Sequence, residues 1–540
     1  MEEFDLIIIG AGPSGLPLAK THLQLSPLLI LEAQQSVGGT WAKERVYPGL
    51  ISNNLHPLFE YSDFPMSEER FGTRKGEHIE GAVLSEYFHA YAVHFGILGK
   101  IRFGARGEGK REMVVRGRKL VCAMGSTSQE YVPRFRGMEG FKRRMFHSKE
   151  VPWRRKDMEG AENVVVVGGS KSAADAVYMN ASEGRHVDWI IRASGKGPAW
   201  LSWPHVSPFQ LHVEKLSTTR FFTFLSPCFD TDSYPTIRKF FHNTRIGRFL
   251  VRSFFKLIEG DLISQGKYND HPESKKLIPP QSPFWSGTSL GIFNYPTDFM
   301  SLFQRGLIHV HRVDISELTE DGVLLSSGEE VKADTLILAT GWKLLPSVKF
   351  LPENVLTDEK MGLTSSNFNV EKKKAAAQEL VKRFPVLSER LPTLTHPSQQ
   401  TSSSYSLYHA SIPPHLLTSR NFAYAGLALS LRGLMVYEIQ ALWLLAFLSD
   451  SLTLPVPTEE EAEWEAISRN VFYQMRAGQG IGGRSTDMAF EILPFTDTLV
   501  RELGLRERRK GGWREVGEYY GVGDYKGLVE EWMEKEGRRK

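Results

Sequence analysis

The feature that most constrains this chain is a pattern that occurs twice: an uninterrupted apolar strand, a glycine turn, and a helix opening on small residues. Phe4 to Lys20 reads FDLIIIGAGPSGLPLAK, and Asn163 to Tyr178 reads NVVVVGGSKSAADAVY. Strands of consecutive β-branched and Leu residues, with no polar face, belong in the middle of a parallel sheet covered on both sides. Each is followed by a second apolar strand, Leu28–Leu31 ending at Glu32 and Val187–Ile191 ending at Arg192. Two such βαβ units restrict the chain to an α/β fold with two Rossmann-like dinucleotide-binding domains.

In the first unit Gly10, Gly12 and Gly15 form a G-x-G-x-x-G fingerprint, with Ser14 inside it. Gly10 permits the tight turn, Gly12 lets the backbone approach a pyrophosphate, and Gly15 allows the helix to close on the strand. The helix N-terminus adds amide N–H groups and a positive dipole end, and Glu32 stands where it can accept ribose hydroxyls. A tight turn with an unrelated surface acid is the plainer alternative. The second unit has Gly168, then Ser170 in place of the middle glycine and Ala173 in place of the last. The hydroxyls of Ser170 and Ser172 are donors for a phosphate, with Lys171 between them. Arg192, not an acid, ends the following strand, and a guanidinium pairs bidentately with a 2′-phosphate that a carboxylate would repel. Ordinary solvated surface charge is the competing reading of Lys171 and Arg192. One site of each polarity points to a bound dinucleotide reduced by a nicotinamide: FAD in the first unit, NADPH in the second.

Composition removes other function classes. Lys plus Arg number 66 and Asp plus Glu 63, a net charge of +3 over 540 residues, which supplies no bulk field for nucleic acid. Cys122 and Cys228 are the chain's two cysteines, too few for a disulfide framework and not a C-x-x-C pair. They exclude a pyridine-nucleotide disulfide oxidoreductase, which shares the two-nucleotide plan, and fit a reducing, cytoplasmic setting. No His spacing resembles a metal motif, so no metal is assigned. The acidic start Met1-Glu2-Glu3 is unlike a signal peptide. The apolar stretch from Ala425 to Leu448 is interrupted by Arg432, Glu438 and Gln440. A charge near a bilayer centre costs at least ~2.5 kcal/mol, so a buried helix is expected there and no integral span. Peripheral contact with a membrane stays open. The aromatic-rich stretch Phe221–Phe255 is expected to be core and lid, not a nucleic-acid platform.

Further segments recur in an order that resembles a family, the class B flavin-dependent monooxygenases, and especially its fungal members. After Glu32 comes Gly38-Gly39-Thr40-Trp41, which resembles the loop that passes the flavin. Tyr47 to Asn53 resembles the family's Tyr-x-x-Leu-x-Ser/Thr-Asn segment, and Asp63-Phe64-Pro65 follows. Phe141 to His147 resembles the linker between nucleotide units, and Leu336 to Gly341 the Ala-Thr-Gly strand end that returns the chain to the FAD domain. Gly125 closes an earlier segment of the same kind, and Glu438 to Trp443 resembles the late helix under the flavin. The resemblance implies that Gly39, Thr40, Trp41, Gly125, Thr340 and Gly341 line cofactor and that Asn53 is catalytic at the flavin edge. It implies NADPH-driven reduction of FAD, a C4a-(hydro)peroxyflavin, and transfer of one atom of O2 to a small organic substrate. A tailoring role in fungal secondary metabolism, by N- or S-oxygenation, hydroxylation or epoxidation, fits the same resemblance.

Asn53 stands where Baeyer–Villiger enzymes carry Asp, which places the chain nearer the flavin-containing monooxygenases, with a Baeyer–Villiger activity as the alternative. An uncoupled NADPH oxidase or a non-catalytic flavoprotein scaffold is the alternative from another class. Three departures bear on the resemblance: Arg143 replaces the linker glycine, Met124 a threonine, and the stretch from Ile101 to Gly125 holds only short strands (101–103, 113–115) where relatives have an antiparallel meander. The expected organisation is residues 1–158 as the first part of the FAD domain and 159–333 as the NADPH domain, with a helical insertion at about 202–283. Residues 334–480 complete the FAD domain. Residues 481–540 form a C-terminal extension, read either as a docked amphipathic helix or as a segment shaping substrate access.

Overall fold

The computed structural model describes residues 2–23, 27–105, 113–206, 211–231, 233–343, 346–363, 370–390, 405–477 and 486–537. Along the first half, the main elements are β1 (Glu2–Ile9), α1 (Gly15–Leu23), β2 (Leu28–Leu31), β3 (Ile51–Leu55), β4 (His78–Glu80), β5 (Ile101–Arg102), β6 (Val115–Cys122), β7 (Arg144–His147), β8 (Asn163–Val167), α2 (Lys171–Ser182) and β9 (His186–Ile190). A helical hairpin, α3 (Pro235–Asn243) and α4 (Arg245–Gln265), leads to β10 (Ile308–His311) and β11 (Thr335–Leu338). The chain ends with β12 (Phe422–Tyr424), α5 (Gly433–Leu448), α6 (Glu459–Ala477), α7 (Ile492–Glu502) and α8 (Leu528–Lys535).

Two five-stranded sheets organise these elements. The first has the order β12-β6-β1-β2-β5 and the second β10-β9-β8-β11-β7, both with parallel pairing throughout. The all-apolar strands β1 and β8 take central places, as their lack of a polar face requires. Leu6 and Ile8 of β1 and Val164 to Val166 of β8 are fully buried.

Two expectations need correction. Residues 115–122 are not a short strand after a loop but β6, a full parallel neighbour of β1, with Ile9 opposite Cys122. The domain borders at 158/159 and 333/334 fall too far inside. β7 and β11 belong to the second sheet, because β11 needs a partner on each edge and finds β8 on one side and β7 on the other. The border at 480/481 lies outside the described residues. The C-terminal segment is docked on the rest of the chain, with Ile492, Leu499 and Trp532 in one buried cluster with α1 and α5.

Two chain crossings join the sheets. Gln129–Glu130 on the way out and Trp342–Lys343 on the way back pair antiparallel as a two-stranded ribbon. Lys149 clamps it, donating from Nζ to the Ser128 carbonyl (2.7 Å) and to Glu130 (2.8 Å).

The polar residues that interrupt the apolar stretch 425–448 explain its placement. Among the described residues no helix is long and apolar enough to cross a membrane. Instead α5 is buried along most of its length, and each interrupting residue has a partner. Arg432 lies 3.4 Å from Glu214, Gln440 accepts from the Gly426 N–H (2.9 Å), and Glu438 accepts from the backbone N–H of Ser62 (2.9 Å) and its hydroxyl (3.1 Å). Two further buried arginines tie the insertion to the end of the chain. Arg469 grips Asp230 through two bonds of 2.8 Å, and Arg220 pairs with Asp497 and Glu515. Removing one partner of such a pair costs about 3–5 kcal/mol, because the other charge is left buried alone.

Burial, with Asp63 alongside, pushes the Glu438 carboxyl up to about 8 from an ordinary 4.5. Between those pH values the folded chain holds a proton that the unfolded chain has released, so this group's contribution to stability falls as pH rises through the window. Glu438→Gln should flatten the loss of stability between about pH 5 and 8, by up to about 1.4 kcal/mol per pH unit, in denaturant titrations followed at several pH values. An unchanged slope would remove Glu438 from the pH response.

Candidate functional site

The first glycine loop is built by close contact with the neighbouring strands. Gly10 has φ +109°, and a Cβ on it would stand 2.5 Å from the carbonyl oxygen of Ala123, so only glycine fits. A Cβ on Gly15 would overlap the Gly10 carbonyl, which is how α1 closes on β1. Gly12 is different: a Cβ there meets only the backbone of Gly39, its Cα at an ordinary 3.5 Å. The protein does not require that glycine, and the space in front of it is left for something else.

Glu32 is buried and holds this loop. Its Oε2 accepts from the Ala11 N–H (2.6 Å) and its Oε1 from the Gln34 N–H (2.8 Å), leaving acceptor capacity on both oxygens. The segment Gly38–Trp41 lies over the loop, with the Gly38 N–H on the Ala11 carbonyl (3.0 Å) and Thr40 Oγ1 2.9 Å from Thr127 Oγ1. Trp41 stands edge-on to Phe59, 6.4 Å between ring centres. Gly125, just past β6, has φ +65°. Ser14 is buried under Gly426, where a Cβ would come within 2.5 Å of its Oγ. Gly426 and the Gln440 that holds it were not singled out as site residues in the sequence, although Gln440 belongs to a recognised helix segment. Their placement depends on β12 joining β6 from about 300 residues later.

The second loop repeats the first. Gly168 has φ +146°, its Cβ position collides with the Ala339 carbonyl, and its N–H bonds the Ile190 carbonyl (3.0 Å) just as the Gly10 N–H bonds Leu31 (2.8 Å). Ser170 opens α2 with its side chain exposed and unused for capping, and Ser172 is exposed beside it. Lys171 does not join them. Its Nζ is taken up by Asp175 and by the Tyr295 hydroxyl (3.3 Å), an internal ion pair one turn along the helix with which a phosphate would compete. Arg192 is exposed at the end of β9, folded over Gly195. Arg312, one residue beyond the neighbouring strand β10, comes to the same sheet edge and was missed, since nothing in its sequence surroundings marks it. Thr340 donates to the Tyr131 carbonyl (2.6 Å), and Gly341 accepts from the Tyr131 N–H (2.9 Å), so both serve the crossing ribbon. His147 is buried, accepts at Nδ1 from the Lys149 N–H (3.1 Å) and packs edge-on against Trp342.

Strand β3 is where all parts of the molecule meet. Asn294, from the second unit, donates to the Ser52 carbonyl (2.8 Å). Glu214, from the insertion, accepts from Asn54 Nδ2 (2.8 Å), which also donates to Leu431 (2.6 Å). Asn54 is thus fully engaged in structure. Asn53 is not: its Oδ1 is buried with no hydrogen-bond partner, an arrangement that ordinarily costs about 1–3 kcal/mol. Two histidines with no sequence signature stand nearby. His78 lies on the facing strand, and His212 is 6.1 Å from it between ring centres, with burial pushing its pKa down to about 3 so that it is neutral. A separate cavity of about 300 Å³ opens between α3, α4 and residues 282–285, and none of the expected site residues lines it. Among the described residues no group of three or more His, Cys, Asp or Glu could hold a metal.

Comparison with known proteins places this geometry. Residues 4–107 match the family model of flavin-binding monooxygenase-like proteins, and residues 99–202 that of L-lysine 6-monooxygenase/L-ornithine 5-monooxygenase. The FAD-dependent monooxygenase rstn6 of Aspergillus nomiae is 32% identical, with 99% of each chain covered. The FAD-dependent monooxygenase resA of Aspergillus sclerotiorum is 30% identical over 98% of each. The chain belongs to the FAD-dependent monooxygenases. Its fold is that of a cyclohexanone monooxygenase in the open form, with a TM-score of 0.58, 15% identity, and coverage of 100% of this chain and 99% of the other.

For this monooxygenase, FAD fits the first loop: Gly12 leaves a cradle that a side chain would fill, Glu32 retains acceptor sites, and the N-terminus of α1 faces the same loop. Gly12→Val should therefore purify folded, with an unchanged far-ultraviolet spectrum, but colourless. A yellow variant with full flavin content would show that the cradle holds something else.

Proposed function

We propose that this monooxygenase uses NADPH to reduce its FAD and transfers one atom of O2 to a small organic substrate, at the junction around β3. The orphaned Oδ1 of Asn53 carries this reading, because a buried amide without a partner inside the chain is set up to meet one outside it. The bound flavin, once reduced, supplies the activation of oxygen. The protein's own part is to hold the cofactor in the Gly12 cradle, exclude water, and present Asn53 where a polar intermediate or the nicotinamide amide needs a hydrogen bond.

Arg192 supports NADPH over NADH. It is exposed at a sheet edge, pairs with no carboxylate among the described residues, and shares that edge with Arg312. The fungal relatives suit a tailoring reaction of fungal secondary metabolism, and the two unpaired cysteines suit an intracellular setting. The oxygenation is read as N- or S-oxygenation, hydroxylation or epoxidation, with Baeyer–Villiger insertion placed second because Asn53 stands where those enzymes carry Asp. Incubation with isotopically labelled dioxygen, NADPH and a panel of candidate substrates tests the activity: product should gain one labelled oxygen. NADPH consumption yielding hydrogen peroxide alone would make the chain an oxidase.

Two substitutions separate the parts. Arg192→Ala should raise the KM for NADPH about tenfold or more while leaving that for NADH nearly unchanged, as loss of a charge-assisted pair worth ~1.5–3 kcal/mol requires. Equal effects would move the 2′-phosphate site elsewhere. Asn53→Ala should keep FAD and NADPH consumption but divert the reaction to hydrogen peroxide by roughly tenfold or more, the scale of removing one buried acceptor from a hydrogen bond at ~1–3 kcal/mol. The ratio of peroxide to product, measured against NADPH consumed, decides it.

A further inference from the structure

We infer that the outer face of the α3–α4 hairpin docks this enzyme on an anionic lipid membrane. The stretch Phe221–Phe255 was expected to be core and lid, and Phe222, Phe224 and Phe255 are indeed buried. A second set of large apolar side chains on the hairpin points the opposite way. On α4, Ile246, Phe249 and Leu257 are 67%, 67% and 72% exposed, and Leu250 is also exposed. They recur at i, i+3, i+4 and i+11, which is a single helical face. The opposite face, Gly247, Val251, Phe255 and Leu262, packs into the protein. Ile237 and Phe240 of α3 extend the exposed apolar surface.

Charge chooses the occupant. From Pro235 to Ile258 the chain has six Lys or Arg and no Asp or Glu, in a protein whose charges otherwise nearly balance. Arg238 is buried and donates to the Thr223 carbonyl, Arg248 donates to the His242 and Asn243 carbonyls, and Arg252 pairs with Glu389 from outside the hairpin. Lys239, Arg245 and Lys256 stay exposed beside the apolar stripe, with Glu259 the neighbouring acid of Lys256. Arg245, Arg248, Arg252 and Lys256 fall at i, i+3, i+7 and i+11, a cationic band running along the apolar one. An apolar face flanked by basic residues is the pattern of a helix that lies in the headgroup boundary, where burial of side chains and attraction to anionic lipid add. A uniformly apolar protein interface would have no use for the cationic band.

Flotation with vesicles tests this on the FAD-loaded enzyme. Wild type should bind vesicles of equimolar phosphatidylcholine and phosphatidylserine, bind phosphatidylcholine alone far more weakly, and be partly released by salt. Phe249→Ser with Leu257→Ser, and separately Arg245→Ser with Lys256→Ser, should each bind at least about tenfold more weakly while keeping flavin content and NADPH turnover. Wild type that stays free of anionic vesicles, or variants that bind as well as wild type, would overturn the inference. So would a wild-type dimer in light scattering that the Phe249→Ser, Leu257→Ser variant splits, since the face would then belong to a second copy of the chain.

Discussion

Both nucleotide units depend on one steric constraint: a backbone carbonyl pressed against a glycine that has no room for a side chain. Gly10 meets the carbonyl of Ala123, and Gly168 meets that of Ala339. Each contact requires a parallel strand beside the glycine-bearing one, so β6 and β11 are as necessary to the loops as the glycines themselves. Any larger residue at either glycine would push the two strands apart where the loop must turn. The positive φ at both positions points to the same residue for a second, independent reason.

The buried charges do a different job. Arg220, Arg432 and Arg469 join segments more than 200 residues apart and pull the insertion onto the C-terminal part of the chain. Their stabilising worth against an apolar core is small. Their effect is on specificity, because a misdocked insertion would leave several charges buried without partners. The junction at β3 inherits its precision from them, since Glu214 binds both Arg432 and the neighbour of Asn53.

The two units were legible because the signals are local: an apolar run, glycines at fixed spacing, and a polar residue ending the next strand. Asn53 was singled out through a longer motif, and the fold leaves its Oδ1 buried without a partner. The domain borders were not legible, because Arg144–His147 is only four residues long and reads as linker, and only its pairing with β11 reveals a strand. The pairing of Lys171 with Asp175, one helical turn on, was not read from the sequence, and it competes with any phosphate. Gly426, Arg312, His78 and His212 carry no sequence mark, since their importance comes from neighbours that only the folded chain supplies. The exposed face of α4 was hidden by its composition: its phenylalanines look like core residues until the direction of each one is known.

The crossing ribbon has a consequence for how such a molecule arises. Because the chain leaves the first sheet and returns to it on adjacent antiparallel strands, its two ends at the second unit lie about one strand spacing apart, ~4.8 Å. Geometrically the whole second unit is therefore a very large hairpin loop. A module whose ends are that close can be placed into a host by a single insertion of coding sequence, without either sheet having to change its strand order.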